Sequence, residues 1–491
     1  MRRAIRTGSA ARGGACPGED RCRIGGAAGA SADWNLHHSA SPIEVDKCLD
    51  VHASLRTCAG HAPSIAATSI RGIAMNRWTR CSAAVVCLAA AGAAQAQSCR
   101  LQTQTLRLPL VSQNMPKYAY QVRVQVGTPP ASATSAAAAS QVLEVDTGST
   151  GVVVPLSAAI QQAWDASTKL GYIFYSSNSQ YHPGKYVQVP MRLGVSADGN
   201  SAAARIDAIE VLAAQCTCDV ATIPKGTPPG SAKTLSQAPD NCAAYNNTLA
   251  LSSGGTQTLK DCKTISPDFG MMGVGYDRGV AAARNPFLNL VQMRTGNMSP
   301  GYIVSASGIT LGVSEQALRA FSLIPLQRAA ASAAGGADWQ APNACAGFPA
   351  SGSDYQVCGK LLPDTGIAYM MLTPTKQPPA PAKLQQKLTT PAKPASATSG
   401  RASDATAATS LVVPEGTQMT LAIGPAGHPV FSYGFKVGGT APATPDSVQW
   451  RGPLDAPPAH INSGRHVLAA TDYAYDAACG RAGFREAATM P

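Results

Sequence analysis

Three scarcities frame this chain of 491 residues: aromatic side chains make up 5% of it, charged side chains 14%, and no apolar run reaches the length of a membrane span. Each excludes something. Few aromatics beside 46 Gly and 36 Pro argue against a helical bundle and for a β-rich fold with many turns. Sparse charge, with no basic run interleaved with aromatics, argues against nucleic acid as a partner despite a net charge of +11. A helix needs about 20 apolar residues to cross a bilayer, so no membrane span is expected.

The cysteines lack the paired two-residue gaps of a zinc site. Cys216-Thr217-Cys218 has a gap of one, so neither a metal nor another cofactor is expected. What the chain does have is length. Single hydrophobic cores stop growing at about 250 to 300 residues, so two lobes are expected.

Residues 75–96 read as a secretory signal. Arg77 and Arg80 lie near the start, an apolar segment runs from Cys81 to Ala93, and Ala94-Gln95-Ala96 is a small-x-small end. The protein is therefore expected to be exported, periplasmic or secreted. Residues 1–74 lie upstream of that signal without hydrophobic periodicity and read as a non-native or disordered leader, with Met75 as the true start. Beyond residue 96 the chain carries 28 Lys and Arg against 22 Asp and Glu, an excess that reads as solvated surface.

Eight of the 14 cysteines follow the signal: Cys99, Cys216, Cys218, Cys242, Cys262, Cys345, Cys358 and Cys479. An even count in an oxidising compartment reads as disulfides. Cys345 and Cys358 bracket one turn and can bridge locally. The four cysteines between residues 214 and 264 suggest a stapled insertion, and three pairings among them remain open.

The most informative stretch is Val142-Leu143-Glu144-Val145-Asp146-Thr147-Gly148-Ser149-Thr150-Gly151, followed by Val152-Val153-Val154. A β-branched run climbs to a carboxylate, turns at glycine and leaves through a second β-branched run. The tripeptide recurs 218 residues later, in Leu361-Leu362-Pro363-Asp364-Thr365-Gly366-Ile367. One such turn is a common hairpin turn. Two copies in apolar flanks point to an internal duplication, each half offering one carboxylate loop to a cleft between them.

Elsewhere, Tyr118 to Val126 alternates as a strand, 131–140 is a lengthened Ala/Ser turn, and Ala158 to Thr168 can form a short helix. Tyr186 to Gly194 and Ala203 to Leu212 read as a hairpin. Asn285 to Arg294 reads as a helix, and 375–410 as a low-complexity loop. Met271-Met272 and Met370-Met371 read as core packing. His460 and His466 read as structural or exposed.

These residues resemble the pepsin-like aspartic proteases, in a divergent bacterial form. The likeness rests on Gly127-Thr128-Pro129-Pro130, the two acidic loops, Val154-Pro155, and the run from Ile461-Asn462-Ser463-Gly464 through Tyr475-Asp476 to Gly483-Phe484. The resemblance implies an all-β, bilobal double β-barrel with an active-site cleft between lobes. The lobes would span 97–306, with its insertion at 214–264, and 307–491. It implies an aspartic endopeptidase, monomeric, acting on a peptide or protein substrate.

Asp146 and Asp364 would be the catalytic pair. Thr147 and Thr365 would lock the loops together, Gly148 and Gly366 would let backbone N–H groups approach the carboxylates, and Ser149 would hydrogen-bond Asp146. The resemblance also implies a Cys99 to Cys479 bridge, since the first and last strands neighbour each other in such folds.

The chemistry needs both loops. Peptide hydrolysis without a covalent intermediate requires a base to activate water and an acid to protonate the carbonyl oxygen and the leaving nitrogen. Two adjacent carboxylates that share one proton supply both.

Three departures point the other way, to a non-catalytic relative that binds a peptide or protein partner in the cleft. Ile367, the counterpart of Ser149, cannot donate a hydrogen bond, which is expected to raise the proton affinity of Asp364. Pro363 removes a backbone donor beside it. Val153 stands where the family has a tryptophan, and the hairpin spanning 186 to 212 has only Tyr186 to offer as a flap aromatic.

Overall fold

The computed structural model describes residues 99–111, 119–128, 140–175, 180–222, 241–246, 249–252, 255–278, 282–329, 338–350, 353–375, 411–451 and 457–487. The expected leader, the signal segment and the low-complexity stretch from 376 to 410 lie outside them.

The architecture is all-β and bilobal, and among the described residues the helices are short and lie between strands. In the first lobe a barrel closes from six strands, in the order Gln121–Val126, Ser140–Asp146, Met271–Val274, Thr150–Pro155, Ala202–Ala214 and Gln180–Val195. The last of these pairs back onto the first. Alternation explains the closure. Val122, Val124 and Val126 turn inward with Leu143 and Val145, and with Met191 and Leu193 on the strand that pairs back onto theirs, all essentially buried.

The second lobe is an eight-stranded curled sheet. It runs Leu411–Val412, Val448–Trp450, Met370–Thr373, Ala459–Asn462, Ser353–Leu362, Asn343–Ala350, Gln418–Ile423 and Phe431–Lys436. A six-stranded sheet draws strands from both halves of the chain, setting Gly301–Ser305 beside Thr471–Asp476. It supports the first acidic loop directly. Tyr302 is fully buried and donates its hydroxyl to the carbonyl of Val274, 2.8 Å away, one residue beyond the Gly273 that pairs with Asp146.

Both acidic loops arise from one local pattern. In the first lobe Met271–Val274 lies parallel to Ser140–Asp146 and antiparallel to Thr150–Pro155. In the second, Ala459–Asn462 lies parallel to Ser353–Leu362 and antiparallel to Met370–Thr373. A strand entered from a distant part of the chain thus divides the two arms of each acidic turn. This is the duplication that the repeated tripeptide suggested.

Two expectations need correction. Asn285 to Arg294 is not one helix: a 3-10 turn at Pro286–Leu288 is followed by a single α turn at Val291–Arg294. The Asn285 side chain accepts from the Phe287 N–H at 2.9 Å and donates to the Val274 carbonyl at 2.6 Å, which fastens the segment to the barrel at its first residue. The hairpin read over Tyr186 to Leu212 is also longer than expected. Its first strand begins at Gln180 and pairs on its other side with Leu170–Tyr175, a strand without polar–apolar alternation. The signal was present in Tyr172-Ile173-Phe174-Tyr175, a run of β-forming residues.

Four disulfides brace these elements. Cys99 pairs with Cys479, Cys216 with Cys242, Cys218 with Cys262, and Cys345 with Cys358. The middle two enclose a small separate core of Tyr181, Val220, Tyr245 and Leu259, so this insertion carries its own apolar centre. Met271, Met272 and Met370 are buried core residues.

Candidate active site

The two acidic turns meet tip to tip. The Thr147 N–H donates to the Thr365 hydroxyl at 2.9 Å, and the Thr365 N–H donates to the Thr147 hydroxyl at 2.9 Å. Each hydroxyl then donates onward into the opposite loop: Thr365 to the Val145 carbonyl at 2.7 Å, Thr147 to the Pro363 carbonyl. Both threonines are buried, so these exchanges proceed without competition from water.

Pro363 fits this arrangement. The strand Ser353–Leu362 ends just before it, so the missing N–H interrupts no ladder. Its counterpart Val145 uses its own N–H to reach the Tyr120 carbonyl at 2.9 Å. The carbonyl of Pro363 takes the Thr147 hydroxyl, and the residue contributes as an acceptor.

The threonine lock brings the carboxyl groups of Asp146 and Asp364 into hydrogen-bond contact, both side chains buried. One oxygen of each faces its own loop's glycine: Gly148 N–H to Asp146 Oδ1 at 2.6 Å, Gly366 N–H to Asp364 Oδ1 at 2.8 Å. The glycines also face the opposite carboxylate. A Cβ on Gly148 would lie 2.4 Å from the Asp364 carboxyl carbon, and one on Gly366 would lie 2.7 Å from Asp146 Oδ1. Glycine is required here by close approach, since neither residue has positive φ.

The remaining oxygens are held differently in the two loops. Ser149 donates its hydroxyl to Asp146 Oδ2 at 2.6 Å. Ile367 is buried and offers nothing. Instead, the side-chain amide of Asn462 donates to Asp364 Oδ2 at 2.6 Å. Asn462 belongs to the run Ile461-Asn462-Ser463-Gly464, in which the sequence by itself points to no role for its side chain. The available signal is an amide at the end of the short strand Ala459–Asn462.

Burial, and next the negative charge of Asp146, hold the Asp364 carboxyl well above the usual carboxylate range, while the Asn462 amide and the Gly366 N–H pull it down. The raised proton affinity expected of Asp364 is present, but its cause differs from the expected one. The donor absent at position 367 is replaced from elsewhere.

One cation stands close. Arg465 follows Gly464 at the end of the strand carrying Asn462, and its backbone N–H donates to the Ile367 carbonyl at 2.9 Å. Burial lowers its pKa, while the charges of Glu144, Asp364, Asp446 and Asp146 raise it. His460, two residues before Asn462, is pushed down to about 4 by burial and then by Arg278, so it is neutral near pH 7. His466 is buried, its Nδ1 2.8 Å from the Pro442 carbonyl.

Val153 lies in a small apolar cluster against which Ile173, Tyr175, Tyr186 and Phe269 pack. Aromatic side chains near it therefore come from Tyr175 on the strand Leu170–Tyr175 and from Phe269 as well as from Tyr186. Among the described residues no group of three or more His, Cys, Asp or Glu could hold a metal ion, and no helix is long and apolar enough to cross a membrane.

No protein-family model matches the sequence, and no curated protein matches it. Among solved structures, the chain is similar to the aspartic proteinase from Irpex lacteus, with a TM-score of 0.39 and 15% identity over 79% of this chain and 98% of that one. A likeness at that level says nothing about activity. The closed barrel, the curled second sheet and the paired acidic loops are consistent with a bilobal pepsin-like fold.

Proposed function

We propose that this chain is an exported aspartic-type endopeptidase, hydrolysing peptide bonds with a water molecule activated by Asp146 and Asp364. The observation that carries this reading is the pair itself: two buried carboxyl groups in mutual contact, each fixed on both oxygens, on loops locked by reciprocal threonine bonds. A turn that served only to connect strands would need none of this.

In the resting pair one proton is shared, and the ionised form of Asp364 is disfavoured by burial and by its neighbour. Asp146 then takes a proton from water as the oxygen attacks the carbonyl carbon, and Asp364 gives its proton to the carbonyl oxygen. Collapse of the resulting gem-diol breaks the C–N bond. A proton passes to the leaving nitrogen, one returns from a hydroxyl to the pair, and the singly protonated state is restored. The lock between the loops matters because general acid and base must hold position to well under an ångström.

The test is cleavage of a mixed peptide library between about pH 3 and pH 7 by the oxidised protein, beside Asp146→Asn and Asp364→Asn. The expected result is cleavage by the parent and loss in both variants. A folded parent that binds peptides without cutting them would instead identify a peptide-binding protein on the same scaffold.

A further inference from the structure

We infer that Asn462 is a positioning residue for Asp364, doing for the second acidic loop from a distant strand what Ser149 does for the first from within the turn. The inference rests on the reading of Asp146 and Asp364 as a working pair and adds a residue that the acidic loops themselves do not contain.

The two lobes make the argument by comparison. Asp146 and Asp364 are 218 positions apart, and the same offset relates Ser149 to Ile367 and Glu144 to Leu362. Glu144 is opposite Met271 in the first lobe, and Leu362 is opposite Asn462 in the second. Asn462 therefore stands where the first lobe has Met271. The polar and apolar residues have changed places: hydroxyl in the turn and methionine on the dividing strand in one lobe, isoleucine in the turn and asparagine on the dividing strand in the other. Each lobe ends with one side-chain donor on Oδ2 of its aspartate, at 2.6 Å in both cases.

The amide of Asn462 is fixed for this purpose. Its Oδ1 accepts the Gly464 N–H at 2.9 Å, which turns Nδ2 toward Asp364, and the residue is 2% exposed. A buried amide with only one end satisfied would be costly, and here both ends are used. Without it Asp364 would keep the Gly366 N–H on Oδ1 and its contact with Asp146, but would lose the side-chain donor on Oδ2. The charged groups acting in this space are Asp146 from the first loop and Arg465 beyond Gly464, with Glu144 and Asp446 acting on Arg465 in turn. The directed N–H donor on Asp364 Oδ2 is the amide of Asn462.

The experiment uses the full oxidised chain with carbon-13 at the aspartate carboxyls, the Asp364 signal assigned by its loss in Asp364→Asn. Asn462→Met copies the first lobe's residue at this place. It is expected to move the Asp364 titration upward by about one to two pH units, since the lost bond favoured the charged form. Ile367→Ser added to it is expected to bring the titration back. An unmoved titration in Asn462→Met, or no return in the double variant, overturns the inference.

If Asn462→Met does not fold, Ile367→Ser alone decides. With Asn462 already donating, the new hydroxyl shifts the titration little; a downward shift of about a unit or more shows that Oδ2 lacked its donor and overturns the inference. Peptide cleavage is followed in parallel. A moved titration in a protein that cuts nothing supports the positioning role and removes the protease reading. Cleavage with an unmoved titration does the reverse. For an active enzyme, Asn462→Met is expected to lower kcat with KM little changed and to move the alkaline limb of the pH profile upward, since that limb reports loss of the Asp364 proton.

Discussion

Gly148 and Asp364 lie on different loops, 216 positions apart, and are packed so closely that a methyl group on the glycine would sit 2.4 Å from the carboxyl carbon of the aspartate. The mirror relation joins Gly366 to Asp146. Each loop is thus shaped by the carboxylate of the other.

Gly148→Ala is accordingly expected to displace Asp364 and leave the rest of the fold in place. A shift of about 1 Å in a catalytic group can cost about 100-fold in rate, so cleavage is expected to fall by that order. Overpacking at the junction should also cost about 1 to 3 kcal/mol, read by urea unfolding. A variant with full activity would show that the loops can separate without loss.

The threonine lock predicts a cost that is shared between loops. Thr147→Val removes both the acceptor for the Thr365 N–H and the donor to Pro363, and Thr365→Val does the equivalent. Each variant leaves a buried backbone N–H unpaired, at about 1 to 3 kcal/mol. Because the two exchanges form one network, the double variant should lose less than the sum of the singles, which a double-mutant cycle measures.

Asp364 makes stability depend on pH in a definite direction. Its pKa is raised on folding by burial and by Asp146, so the folded state holds a proton that the unfolded chain releases. The favourable contribution is complete below the unfolded carboxylate pKa of about 4 and is lost as pH rises through the raised folded value. Melting curves of the parent and of Asp364→Asn should therefore diverge from about pH 4 upward, the parent losing ground. Parallel curves would mean that Asp364 titrates as an ordinary carboxylate.

The Cys99 to Cys479 disulfide closes a loop of 380 residues, and Cys345 to Cys358 one of 13. Entropy removed from the unfolded chain grows with loop length, though slowly. Cys99→Ser with Cys479→Ser is expected to cost about 2 to 5 kcal/mol, and the Cys345 pair less, compared by denaturant midpoints. The reverse order would show that cross-strand packing at the short bridge outweighs chain entropy.

How far the site could be read in advance follows from where each partner comes from. Asp146, Gly148 and Ser149 bond within three residues of one another, so a turn motif displays them together. Their counterpart in the second loop draws its donor from 98 positions away, and no spacing rule connects Asp364 to Asn462. The strand Leu170–Tyr175 does not alternate, so period-two reading passes it by, and the helix expected over Asn285 to Arg294 is interrupted at Asn289 and Leu290, between a 3-10 turn capped by Asn285 and a single α turn.

By itself the sequence determined the period-two strands of the first barrel, the two acidic turns and the scarcity of helix, because these depend on backbone preferences and local alternation. Tertiary structure alone decided which cysteine of the insertion meets which, how Pro363 becomes an acceptor, and how Asp364 is held. Those depend on strands that arrive from far along the chain, and a hydrogen bond is set by where its two ends lie in space.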